Sequence, residues 1–318
     1  MTSQAKRNET KFGTARSILL SAILTAAVFM SAIYLSDELG GYVEDALLLS
    51  VRIIIPSIFP FLVLTDIITP YLRFEIITPL RTLFEKTFKI NGTAIPIYMC
   101  GILCGFPIGA KMAYDAYRRG CLSRDECERL MAFANNAGPG YVISAVGASI
   151  RGSVKEGVLL YLSMVASSAI TGFIVGINRD KSEYKTFNIE QKYNFIESVR
   201  SAAVISINVC AFISTFGIFV GLTKTIIRNE YLSALFVSVL EMGNAALYLA
   251  SPDLFSPLIS LILTSFAISF SGLSVIFQTL SIQEKGVRID AKAYVTRKLL
   301  QGIIAAILTT LFYILFIN

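Results

Sequence analysis

Apolar residues come along this chain in long blocks, and polar residues gather at the joints between blocks and in a few short insertions inside them. About 20 consecutive apolar residues suffice to cross the hydrocarbon core of a bilayer. The first such block is Ser17–Leu35, and the second is Val51–Pro70, where Pro56 and Pro60 predict a kinked or interrupted helix. The segment 71–91 mixes Arg73, Arg81, Lys86 and Lys89 with apolar residues and reads as an interfacial helix. From Thr93 to Tyr117 the chain starts apolar, carries Gly-Phe-Pro-Ile-Gly at 105–109, and turns polar; this predicts a re-entrant hairpin. Leu122–Asn135 is an amphipathic approach to a span over Met131–Ile150, which holds Asn-Asn-Ala-Gly-Pro-Gly at 135–140. Val154–Ile177 is a plain span, and Arg179–Asn194 is a hydrophilic loop.

The second half repeats this order. Ala202–Ile226 spans, Tyr231–Ser251 reads as a second hairpin with Glu-Met-Gly-Asn at 241–244 at its tip, Phe255–Ile282 spans with Ser-Phe-Ser-Gly-Leu-Ser at 269–274, and Leu299–Ile317 is last. The fold class expected is therefore an all-α polytopic membrane protein with seven full spans, two re-entrant hairpins and Gly/Pro-broken transmembrane helices. Ser-Val-Arg opens the second span at 50–52 and the fifth at 198–200, and the two halves enter from opposite sides, which is an inverted repeat. The organisation is a cytoplasmic N-terminus 1–16, an extra helix 17–35, a first repeat 50–177, a cytoplasmic loop 178–197 and a second, inverted repeat 198–318.

Charge supports that orientation. Of the 28 Lys and Arg residues, only Arg52, Arg151, Lys155, Lys224 and Arg228 fall on predicted outside segments. Positive residues favour the cytoplasmic side, so the N-terminus is expected inside and the C-terminus outside. Ser17–Leu35 lacks a small-x-small cleavage site after its apolar run and reads as a retained span rather than a signal peptide.

Composition narrows the chemistry. Across 318 residues, 54% are hydrophobic and 16% charged, with a mean hydropathy of +0.66; soluble domains carry about 25% charged residues. There is no His, which excludes His-ligated metal sites and Ser/His/Asp or Cys/His catalysis. No G-x-x-x-x-G-K-[ST] motif occurs, so no P-loop is present. The net charge of +6 is spread over predicted loops and implies a bilayer, not nucleic acid. The five Cys form no C-x-x-C pair and read as packing residues. No metal, cofactor or enzymatic activity is expected, and a homodimer is left open.

The residues that carry chemistry sit at the interruptions. Backbone polar groups cannot stand bare in lipid, so broken helices line a protein interior or a wet cavity, and half-helix N-termini suit anions. Gly105, Pro107, Gly109, Asn135, Asn136, Gly138, Asn244, Ser271, Gly272, Ser274 and Gln278 are the candidate substrate-binding residues. The bland alternative is packing: Gly105-x-x-x-Gly109 also fits a close helix contact, and Asn135 and Asn136 fit capping of the break. Glu241, inside the apolar stretch Leu235–Leu249, is the candidate coupling-ion site for a proton or sodium, against the alternative of a structural pair at an interface. Asp66, near a span end, suits a wet interface, Asn208 suits a mid-span helix–helix hydrogen bond, and Lys111 suits the cytoplasmic interface.

Five motifs carry a resemblance. Ile55-Pro56-Ser57-Ile58-Phe59-Pro60-Phe61, Gly105-Phe106-Pro107-Ile108-Gly109-Ala110-Lys111, Asn135-Asn136-Ala137-Gly138-Pro139, Glu241-x-x-Asn244 and Gly272-Leu273-Ser274-Val275-x-x-Gln278 resemble, in order over about 50–282, the YlbJ-type sporulation integral membrane proteins, within the wider nucleoside recognition ("Gate") family. The resemblance implies a membrane protein of endospore formers, in the cell membrane or outer forespore membrane, that moves dipicolinic acid. The wider family includes segments of nucleoside transporters and of ferrous-iron transport GTPases, so the alternatives are a nucleoside transporter or a non-transporting scaffold or regulatory component. Two positions depart from the pattern: Ala245 stands where Gly is expected, and Ile276 where His is expected.

Overall fold

The apolar blocks become helices, and the insertions become the places where helices stop. The computed structural model describes residues 33–68, 78–179, 194–282 and 289–316, with isolated positions between 22 and 30. Among them all regular structure is helical, without a strand. Helix α1 (Ser36–Leu49) runs through a π-helical turn, Ser50–Ile54, into α2 (Ile55–Ile68). Then come α3 (Thr78–Phe88), α4 (Ala94–Leu103), α5 (Ile108–Arg118), α6 (Arg124–Ala134), α7 (Gly140–Ile150, wound as a π-helix) and α8 (Val154–Gly176). The second half holds α9 (Phe195–Ile226), α10 (Glu230–Leu240), α11 (Met242–Leu249), α12 (Pro257–Phe270), α13 (Gly272–Ser281) and α14 (Ala291–Phe316). The expected N-terminus 1–16, most of the span Ser17–Leu35, the start of the segment 71–91, most of the loop 178–197 and the Asp66 side chain lie outside the described residues.

Among the described residues five helical stretches are long and apolar enough to cross a membrane: Ser36–Leu64, Val154–Gly176, Phe195–Ile226, Pro257–Ser281 and Ala291–Phe316. Three of these differ from the expected spans, and one of the three is α9, which begins at Phe195, seven residues before the expected Ala202. The helix expected over Val51–Pro70 begins at Ser36 and continues past both prolines; the π turn precedes Pro56, and the Ser57 hydroxyl donates to the Ile53 and Ile54 carbonyls at 2.8 Å each. The last helix begins at Ala291, eight residues before the expected start. The expected span Met131–Ile150 is not one helix but two, α6 and α7, separated by 135–139.

Burial is inverted relative to a soluble bundle. On α14, Ile303, Ile307, Leu311 and Ile314 form the exposed stripe, whereas Tyr294, Lys298, Gln301 and Thr309 are buried. Exposed apolar stripes on the outside with polar groups inside are what a lipid solvent selects. Helix α14 packs on α12, α8 and α6, so its polar stripe faces the centre.

Polar bolts hold α6 at the end of α3. Ser123 and Glu126 form a capping box, at 2.8 and 3.2 Å, and Glu126 also accepts from the Asn91 N–H at 2.9 Å. Arg129, buried, donates to the Phe88 and Lys89 carbonyls at 2.8 Å each, satisfying the C-terminus of α3.

Helices α4 and α5 pack on one another and on the end of α6. A Cβ on Gly109 would stand 3.1 Å from the Gly101 Cα and would overlap the Ala134 carbonyl oxygen. The obstacle is backbone on both sides and cannot rotate away. Gly109→Ala is therefore expected to destabilise the protein by about 3 kcal/mol or more, the upper end for overpacking. Gly41→Ala, in α1 with open space around it, is expected to be neutral or slightly stabilising. Thermal unfolding of the two variants in detergent tests the contrast; equal melting midpoints would refute it.

Candidate functional site

Each half of the chain brings two helix breaks together. In the first crossing, the break 104–107 between α4 and α5 lies on the break 135–139 between α6 and α7. Gly105 is left-handed (φ +85°), and a Cβ there would fall 2.6 Å from the Gly138 nitrogen, so only glycine allows both the turn and the approach. In the second crossing, the break at Glu241 between α10 and α11 lies on the break at Ser271 between α12 and α13. Ser271 and Gly272 are both left-handed (φ +79° and +69°), and a Cβ on Gly272 would fall 3.1 Å from the Glu241 Cα.

The break after α6 has a specific cause. In a continuous helix the N–H of residue 139 would serve the Asn135 carbonyl, but residue 139 is proline and has no N–H. That carbonyl instead accepts from Lys298 Nζ at 3.0 Å. Lys298 is 0% exposed, lies 2.8 Å from Gln301 Oε1, and stands 5.7 Å from the Phe106 ring centroid. Thus one ammonium touches the break after α6 directly and the break after α4 through an aromatic face.

Other side chains complete the network. Asn135 Nδ2 donates to Thr279 Oγ1 (2.9 Å) on α13 and to the Tyr294 hydroxyl (3.1 Å) on α14. Asn136 Nδ2 donates to the Phe133 carbonyl (2.7 Å), and its Oδ1 accepts from Gln301 Nε2 (2.7 Å). Ser168 donates to the same Phe133 carbonyl at 2.9 Å and is hydrogen-bonded to Tyr98 at 3.0 Å. The last carbonyls of α6 are thereby satisfied by side chains of α8 and α14, and the second half of the chain closes the first crossing.

At the second crossing Glu241, 1% exposed, caps α11. Its Oε1 accepts from the Gly243 N–H at 2.9 Å, and its Oε2 from the Asn244 N–H and Nδ2 at 2.6 and 2.9 Å. Among the described residues no Lys or Arg pairs with it. A carboxylate seated on a helix N-terminus is electrostatically matched to it.

Several buried polar atoms around the crossings have no hydrogen-bond partner among the described residues: Asn135 Oδ1, the Tyr141 hydroxyl, and Oγ of Ser269, Ser271 and Ser274. Tyr141 is on α7, which packs against α11, and Phe106, Ala137, Tyr141, Met242 and Val275 belong to one apolar cluster that runs between the crossings. Unpaired buried polar atoms cost stability and mark places where water or a ligand is called for.

The expected residues divide between the two crossings. Gly105, Pro107, Asn135, Asn136 and Gly138 meet at the first, with Gly109 one turn away against Gly101; Glu241, Asn244, Ser271, Gly272 and Ser274 meet at the second. Gln278, buried on α13, precedes Thr279, which reaches Asn135. Lys111 is half-buried and donates to Ser201 Oγ of α9 at 3.2 Å. Asn208 is exposed on α9, not placed in a helix–helix contact as expected. Ile276, at the position where His is expected, is buried in an apolar cluster with Tyr294 and Phe270.

Sequence reasoning missed Lys298, Gln301, Tyr294 and Thr279. The first three share a helical face at 294, 298 and 301, a spacing that was readable once α14 is started at Ala291.

The fold and site define an integral membrane protein, all-helical among its described residues, whose buried polar groups gather where broken helices cross. The chain is similar to the sporulation integral membrane protein YlbJ of Bacillus subtilis (strain 168), with 24% identity over 332 aligned positions, 90% of this chain and 81% of YlbJ. That likeness supports a place in the YlbJ-type family of sporulation membrane proteins. No family model matches the chain, and no solved structure matches it.

Proposed function

We propose that the protein is a secondary or facilitative transporter of a small organic anion of the dipicolinate class. The observation that carries this reading is the crossing of two helix breaks in each half, with unpaired buried polar atoms gathered around both. Broken helices crossing inside a bilayer are a recurrent way to build a solute site that two halves of a transporter can expose in turn. Dipicolinate is a planar dianion at neutral pH and suits amide, hydroxyl and backbone N–H donors.

In this reading the halves 50–177 and 198–318 are inverted repeats, the pairs α4–α5 and α10–α11 are re-entrant hairpins, and Glu241 holds the coupling proton or sodium. The protein resides in the cell membrane or outer forespore membrane, with its N-terminus cytoplasmic and its C-terminus outside. The resemblance to YlbJ-type proteins supports the substrate class, and the Lys/Arg distribution supports the orientation.

The test is uptake of labelled dipicolinate into proteoliposomes of the full chain beside empty liposomes, under imposed proton, sodium and voltage gradients. Saturable uptake is expected, with weak competition by uridine or adenosine. Strong competition by nucleosides would move the assignment to nucleoside transport. Absence of uptake in correctly oriented protein would favour a scaffold or regulatory component.

A further inference from the structure

Lys298 is the one residue of the central network whose charge the described protein leaves unbalanced. Its side chain is fully buried, and among the described residues it makes no ion pair. An ammonium has three N–H donors; two are directed to neutral oxygens, Asn135 O at 3.0 Å and Gln301 Oε1 at 2.8 Å. The Asn135 carbonyl belongs to the C-terminal end of α6, where the helix dipole amounts to about half a negative charge. The Phe106 ring at 5.7 Å adds a weak attraction. Together these offset part of one positive charge. The buried carboxylates among the described residues are engaged elsewhere: Glu241 by three N–H donors of its own helix, and Glu126 by the Asn91 and Ser123 N–H groups.

A structural cap does not require a cation here. Gln or Asn would also donate to a carbonyl, at far smaller desolvation cost than a buried ammonium. Ionisable residues inside the membrane are costly, face the bundle interior, and commonly lie on ion or substrate paths. The location agrees: Lys298 joins the break after α6 to the break after α4, beside the unpaired Asn135 Oδ1.

We propose that Lys298 is the fixed cation of the transport site. It binds one carboxylate of a small organic dianion at the first crossing and gives the site its preference for anions over neutral solutes. This rests on the anion-transport reading above.

The test uses full-length protein in proteoliposomes, labelled dipicolinate as substrate, and the uncharged 2,6-dicarboxamide of pyridine as competitor. Lys298→Gln is expected to raise KM for dipicolinate at least about tenfold, the loss of one charge-assisted hydrogen bond, and to make acid and diamide compete alike. Lys298→Arg is expected to keep the preference for the acid. Asn135→Asp supplies a built-in carboxylate beside Lys298, and the Tyr294 hydroxyl can turn to donate to it. It is expected to weaken dipicolinate uptake by a similar factor, with a lowered melting midpoint, because the Thr279 oxygen, whose proton serves the Val275 carbonyl, then faces the carboxylate. Wild-type uptake with an unchanged KM and preference in folded Lys298→Gln would overturn the assignment alone. If that variant does not fold, undiminished dipicolinate affinity in Asn135→Asp would do so. Absence of anion uptake by the wild type would overturn the transport reading itself.

Discussion

Asn135→Leu is expected to lower dipicolinate uptake by about 100-fold while leaving the chain folded in detergent with a reduced melting midpoint. Asn135 is buried, and its amide donates to hydroxyls on two other helices, Thr279 at 2.9 Å and Tyr294 at 3.1 Å. Leucine is close in volume but donates nothing. The Thr279 hydroxyl keeps its own bond to the Val275 carbonyl at 2.8 Å. The Tyr294 hydroxyl, deep in the core, is left without the amide. A buried polar group stripped of its partner costs about 1–3 kcal/mol. The backbone carbonyl of residue 135 is untouched, so Lys298 retains its acceptor and the break persists. What is lost is the registry of α13 and α14 against the first crossing, along with the Asn135 Oδ1 that the proposed site would offer a solute. About 3 kcal/mol of lost transition-state stabilisation corresponds to roughly 100-fold in rate. Uptake within threefold of wild type by folded Asn135→Leu would show that the crossing is structural. Asn136→Leu provides the comparison: it removes a cap on Phe133 O and the acceptor for Gln301, and is expected to affect the melting midpoint more than transport.

The places where the fold was legible in the sequence are the places where glycine, proline or a polar residue interrupts an apolar block. Gly105–Gly109, Asn135–Gly140, Glu241–Asn244 and Ser269–Ser274 all stood out on that ground, and each contains a helix stop or start. Local chemistry decides such stops. Pro139 withholds an N–H whatever surrounds it, and glycine adopts a positive φ cheaply in any context. What the sequence did not disclose is which break meets which. Gly105 and Gly109 fit one packing motif on paper, yet Gly105 meets Gly138 and Gly109 meets Gly101. Lys298 was illegible for a related reason. It follows Lys292 and Arg297 at the edge of an apolar run, where cations ordinarily mark an interface. Its burial follows from the packing of α14 on α6, α8 and α12, a property of tertiary structure rather than of local pattern. Asn208 fails in the opposite direction: a polar residue in the middle of an apolar helix suggests an inward-facing hydrogen bond, but the face it shares with Val204 and Ile207 is exposed.

Glu241→Gln is expected to yield a folded protein whose dipicolinate uptake no longer responds to an imposed proton or sodium gradient. The geometry explains why so small a change matters. Both carboxylate oxygens of Glu241 are used as acceptors, Oε1 by the Gly243 N–H and Oε2 by the Asn244 N–H and side-chain amide. An ionised carboxylate accepts at both oxygens, whereas a glutamine presents NH₂ at one of them and sets donor against donor. Protonating the glutamate weakens the same cap, because the neutral carboxyl keeps only part of the acceptor strength of the ionised form. Binding of a proton is thus linked to loosening of the α11 N-terminus, and that terminus lies against Gly272, where α12 ends and α13 begins. Sodium would act differently, drawing the same oxygens toward itself while leaving them ionised. Either event alters the contact between the two breaks of the second crossing, which is the requirement for coupling an ion to the exposure of a solute site. Loss of the cap alone is expected to cost about 1–2 kcal/mol and to lower the melting midpoint. Asn244→Ala separates the two roles: it removes one of the three donors to Glu241 but keeps the carboxylate, so it should share the loss of stability and retain the gradient dependence. If Glu241→Gln keeps the wild-type response to pH and sodium, Glu241 is a helix cap and the coupling site lies elsewhere.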